Sequence, residues 1–210
     1  MSSTRNTLVA PGNRLWPRWL AANVVAFALS HTLLGIIDLL VDVVGAHGET
    51  FAGIASHLGA LGLGAAIVGL SQAVLIRAYV TNASQWGLAS GIAYVIAFFT
   101  GEALGGLPLG LLISFTLFGA VSGALQSRIL WQQGFPSVQW ALGSCLGFAG
   151  GGIVATGLLL VTFVVAGKTI MEIAPVPIAL ATIGDVAGGV GAAITGPVLI
   201  WVVQHPSPKT

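Results

Sequence analysis

Charge is what this sequence has least of. Only 6% of its 210 residues are Asp, Glu, Lys or Arg, against about a quarter in a soluble domain, so the chain cannot cover itself with a hydrated surface. Cysteine is reduced to Cys145, which excludes an intramolecular disulfide. The seven basic residues are scattered and form no patch, which argues against nucleic acid as a partner. Catalytic signatures are absent too. There is no Gly-x-Ser-Gly with a partner histidine, no Glu-Glu pair at metal-ligand spacing and no His-x-x-x-His. The glycines lie inside apolar runs rather than ahead of a Lys-Ser/Thr pair, so no loop is built to cradle phosphate. The expectation is a protein that is not an enzyme and has no metal site and no cofactor.

What remains is apolar. Hydrophobic residues make up 56% of the chain and the mean hydropathy is +0.97. Six runs, 19–43, 53–78, 86–105, 107–131, 140–167 and 174–203, each approach or exceed the roughly 20 helical residues that cross about 30 Å of hydrocarbon. The first run is too long for the apolar core of a signal peptide and reads as a retained span. The expected fold is therefore an all-α integral membrane domain over 19–204. A short cytoplasmic segment, 1–18, precedes it and a tail, 205–210, follows. Short connections such as Thr81-Asn82-Ala83-Ser84 and Gln132-Gln133-Gly134-Phe135-Pro136 force antiparallel neighbours, giving three tandem hairpins at 19–80, 86–134 and 140–204.

All six tryptophans lie at run ends on one side: Trp16, Trp19, Trp86, Trp131, Trp140 and Trp201. Indoles settle at headgroup level, so they read as interface anchors. Arg5, Arg14, Arg18, Arg77, Arg128 and Lys209 share that side and only Lys168 is opposite. By the positive-inside rule both termini are cytoplasmic, which places a multi-pass protein in a plasma membrane.

The chain repeats. Sliding it by 54 positions lays Gly69 on Gly123, Gln72 on Gln126, Trp86 on Trp140 and Ser90 on Ser144. A weaker third copy puts Gly196 on Gly69, Trp19 on Trp86 and Leu199 on the glutamine position. Three parallel copies of one hairpin imply a pseudo-threefold bundle. Small residues four apart, such as Gly87/Gly91, Gly119/Gly123 and Gly184/Gly188, let helix backbones approach closely where no hydrophobic force drives them together.

Few polar residues remain as site candidates. On an ideal helix Asp38 is roughly 28 Å above Trp19, and Glu102 and Asp185 are each roughly 24 Å above Trp86 and Trp201, with His57 near that level. Facing inward, these four would form a ring able to hold a cation; the plainer reading is contact with outer headgroup water. Gln72 and Gln126 form an inner polar pair, either touching a ligand or bonding the repeats together. His31 and His57 differ in depth by more than two turns, a poor match for haem ligation.

The stretch Gly69-Leu70-Ser71-Gln72 through Arg77, followed by Gln85-Trp86-Gly87-Leu88 and repeated at Gln126 and Trp140, resembles a pattern in uncharacterised small bacterial membrane proteins. That resemblance implies no activity. The three-hairpin layout is similar to mitochondrial carriers, but their Pro-x-acidic-x-x-basic signature is missing, so the likeness is one of layout alone. Two functional classes follow. One is an accessory or scaffold subunit packing on other membrane proteins, or holding a lipid or pigment. The other is a small-solute transporter, or a substrate-binding transport component, with its site between repeats.

Overall fold

The computed structural model describes residues 14–43, 51–173 and 176–206. Some helical side chains, Asp38 among them, lie outside that description, as do the connection around His47-Gly48-Glu49 and most of both terminal segments. The described residues form five helices: α1 (Leu15–Val43), α2 (Phe51–Ile76), α3 (Ala83–Gln132), α4 (Ser137–Ile173) and α5 (Val176–Gln204). They supply six stretches long and apolar enough to cross a membrane, because α3 contributes two, Ala83–Gly105 and Leu109–Gln132. The chain is thus an integral membrane protein that passes the bilayer several times.

The sequence suggests a break at Gly105-Gly106-Leu107-Pro108, yet helical bonding runs through it. The chain nevertheless doubles back there. A Cβ on Gly101 would strike Ser114, and one on Gly110 would come 2.8 Å from the Gly101 carbonyl. A straight helix would hold residues 101 and 114 about 20 Å apart. Glycine at 101, 105 and 110 lets the two arms of α3 close on each other without side chains between them.

The second arm ends in a Schellman cap. Gly134 adopts φ 78°, its N–H donates to the Trp131 carbonyl at 3.0 Å, and Phe135 N–H donates to Leu130 at 3.0 Å. This left-handed residue satisfies the last carbonyls, and Phe135 packs beside Leu130 as such caps require. Pro136 then prevents the helix from continuing.

Around the bundle α1 packs on α2, α2 on α3, α3 on α4 and α4 on α5, and α5 returns to α1. The last helix is therefore seated on the first. The contacts are backbone-close: a Cβ on Gly87 would lie 2.7 Å from the Gly69 carbonyl, and one on Gly123 3.0 Å from Ala141. Both members of the second crossing lie the same distance along the chain from those of the first.

Candidate functional site

The interior of this ring is filled in two layers. In the upper layer the rings of Phe27, His31, Tyr94, Phe98, Phe115, Phe118 and Phe148 meet at the centre. Phe27 lies 5.2 Å from Phe118, 5.6 Å from Phe115 and 5.7 Å from Phe148. Edge-to-face contacts such as Phe27–Phe118 at 89° suit the aromatic quadrupole. His31 Nδ1–H donates to the Phe27 carbonyl at 2.8 Å, and Nε2 has no hydrogen-bond partner among the described residues. His31 stacks on Phe115 at 5.8 Å and meets Phe98 edge-on at 5.1 Å. Aromatic side chains thus enclose the imidazole.

The lower layer is a polar hub. Gln72 Nε2 donates to Asn23 Oδ1 at 2.8 Å, and Gln72 Oε1 accepts from Ser90 at 2.8 Å and from Trp86 Nε1 at 3.3 Å. Gln126 Nε2 donates to Ser90 Oγ at 2.8 Å and to Gln72 Oε1 at 3.3 Å. Trp140 Nε1–H closes this end on Gln126 Oε1 at 3.0 Å. At the other end Asn23 donates to the Trp19 carbonyl, and Trp19 Nε1–H donates to Thr195 Oγ1 at 3.0 Å. One hydrogen-bonded network therefore takes a member from α1, α2, both arms of α3, α4 and α5. All its members are buried, and the three indoles pack together, Trp140 lying 5.1 Å from Trp86 and 5.9 Å from Trp19.

The indole–amide contact occurs twice in the hub. Trp86 donates to Gln72 and Trp140 to Gln126, each 14 residues back along the chain. Trp19 donates to α5, the helix that precedes α1 around the closed ring. On α5 Leu199 is buried beside the indoles, and Thr195, one turn earlier, supplies the acceptor. A buried indole N–H needs such a partner, and in each case an oxygen of the adjacent helix provides it.

This divides the six expected interface anchors. Trp16, Trp131 and Trp201 are 41%, 71% and 43% exposed, whereas Trp19, Trp86 and Trp140 point into the bundle. The inward three find their polar partner in protein rather than in headgroup water. Gln72 and Gln126 do come together, as members of the hub.

Of the four residues expected at one depth, two meet and Asp185 lies apart from them. His57 Nε2 and Glu102 Oε2 pair at 2.6 Å across α2 and α3, both partly exposed. Asp38 is on α1, its side chain outside the described set. Asp185 is lower. Its neighbour Gly184 packs on His31 and Phe27 while Gly196 packs on Trp16 and Trp19, so Asp185 is about 16 Å above the indole layer. The 24 Å expectation used Trp201 as the ruler, but α5 runs past that layer at Gly196, before Trp201 is reached.

Asn23 and Thr195 also belong to the hub, and neither stands out in the sequence. The usable signal was the spacing Trp19-x-x-x-Asn23, which matches Trp86-x-x-x-Ser90 and Trp140-x-x-x-Ser144. Chemically the hub holds amides, hydroxyls and indoles, none of which titrates near neutral pH. It can fix helix register; it has no acid, base or charged ligand to offer. Outside the ring, α2 and the first arm of α3 leave an apolar groove of about 650 Å³ beside the Gly69–Gly87 crossing. Comparison with family models, curated proteins and solved structures finds no match to this chain.

Proposed function

We propose that the chain is a non-catalytic scaffold or accessory subunit of a bacterial plasma membrane. It works through its outer surface, on which other membrane proteins, a lipid or a pigment are held. In this reading it is built from three hairpins about a pseudo-threefold axis, with both termini in the cytoplasm. The recurrence of Trp86–Gln72 as Trp140–Gln126 and of Gly69–Gly87 as Gly123–Ala141 supports the repeat. The one-sided tryptophans and arginines support the orientation.

The observation that carries the scaffold role is the hub itself. A network with a member in every span ties the helices into one unit, and breaking it would leave several buried donors and acceptors unpaired. Transport between repeats would instead need a core that opens, with Gln72 lining the path, and Gln72 is enclosed by four partners. Mild extraction from native membranes is expected to recover the protein with a stoichiometric membrane protein, lipid or pigment. Proteoliposomes holding the purified chain alone are expected to show no cation-linked uptake. Uptake that Asp185→Asn abolishes would replace this reading with the transport one.

A further inference from the structure

We propose that the groove between α2 and the first arm of α3 is a binding site for one phospholipid, with an acyl chain in the groove and the phosphate against Arg77. This deepens the scaffold reading and rests on it. The α2 wall is made by Ala66, Leu70 and Ala73, and the α3 wall by Leu88, Ile92 and Ile96. Ala66, Leu70 and Ala73 recur at helical spacing, and the next place on that stripe is Arg77. Arg77 continues the helical course, its N–H donating to the Ala73 carbonyl at 3.1 Å. The opposite wall begins at Ser84, on the same side of the bilayer. An apolar channel thus runs along the spans and ends at an exposed cation where the hydrophobic stretch stops.

Dimensions decide the occupant. From Ser84 to Ile96 the groove is about 18 Å long, close to the roughly 15 Å of one leaflet's hydrocarbon. One extended acyl chain spans that length within a groove of about 650 Å³. Charge agrees with this choice. No carboxylate among the described residues pairs with Arg77, and a guanidinium matches phosphate oxygens bidentately.

The test uses the full chain reconstituted in vesicles of equal phosphatidylglycerol and phosphatidylethanolamine, extracted in mild detergent and weighed by native mass spectrometry. Wild type is expected to retain one phospholipid, enriched in phosphatidylglycerol. Arg77→Gln is expected to lower that enrichment roughly fivefold, the effect of one surface cation on an anionic lipid. Ala66→Phe fills the groove from an exposed position and is expected to remove the retained lipid without changing the melting temperature. Ile92→Trp, from the other wall, serves if Ala66→Phe is unstable. Retention of lipid by both filling variants at the wild-type level would overturn the site. So would a Leu88→Cys variant that cross-links to a second copy while no lipid is carried. Cation-linked uptake by proteoliposomes would overturn the scaffold reading and leave the lipid count unchanged, so the two failures are distinct.

Discussion

Gln72→Leu is expected to destabilise the folded chain by about 3 kcal/mol, as the sum of orphaned groups rather than of a cavity. Leucine nearly fills the glutamine volume, so little space is left behind. What is lost is the acceptor for Trp86 Nε1–H and the donor to Asn23 Oδ1, each a contact between buried groups. An unpaired buried group costs about 1–3 kcal/mol, although a single hydrogen bond between membrane helices averages only about 0.6 kcal/mol. Two orphans enclosed by the packed indoles have no water to turn to, so the larger figure governs. Gln126→Leu orphans chiefly Trp140 Nε1–H and is expected to cost about half as much. The double variant should cost less than the sum, because the two amides share a bond. Reversible unfolding in mixed micelles, followed by tryptophan fluorescence, reads all three. A Gln72→Leu variant as stable as the exposed control Leu146→Ala would show that the hub does not hold the helices.

The second large effect is at Gly69. A Cβ there runs into the Gly87 carbonyl, and a Cβ on Gly87 lies 2.7 Å from that of Gly69. Backbone on both sides leaves nothing flexible to give way. Gly69→Val is therefore expected to force α2 from α3 and cost more than about 3 kcal/mol, at the upper end of overpacking effects. Gly59 and Gly62, on the same helix, have nothing within 4 Å of a built Cβ. Alanine at either is expected to be neutral, or to stabilise by up to about 1 kcal/mol through helix propensity. The contrast between sites on one helix separates close packing from glycine content as such. Equal losses at Gly69 and Gly59 in the same unfolding assay would contradict it.

Much of the fold is legible in the sequence because long apolar runs have one outcome in lipid. The six expected stretches match the observed ones to within a few residues at most ends. Gln72 and Gln126 are legible as well, since an amide in an apolar helix stands out. Direction is not. These helices are apolar nearly all round, so periodicity does not say which face turns inward. Trp19, Trp86 and Trp140 therefore looked like Trp131 and Trp201, although only the first three point to the axis. Asn23 and Thr195 were hidden by their small size among apolar neighbours. The aromatic layer draws Phe27, Phe98, Phe115 and Phe148 from four different spans, and only the closed ring brings them together. Asp185 stands lower than a count from Trp201 suggests, because α5 passes the indole layer at Gly196.

A filled interior is the premise from which the proposed surface role follows, and thiol reactivity reads it directly. Ala93 is fully buried between the polar hub and the aromatic layer, while Ser84 is exposed. With Cys145→Ala removing the native thiol, Ser84→Cys in intact membranes is expected to react readily with a water-soluble maleimide. Ala93→Cys is expected to stay unmodified until the protein is denatured. Labelling of Ala93→Cys in the folded protein would mean that water reaches the axis of the bundle, and would contradict a closed scaffold.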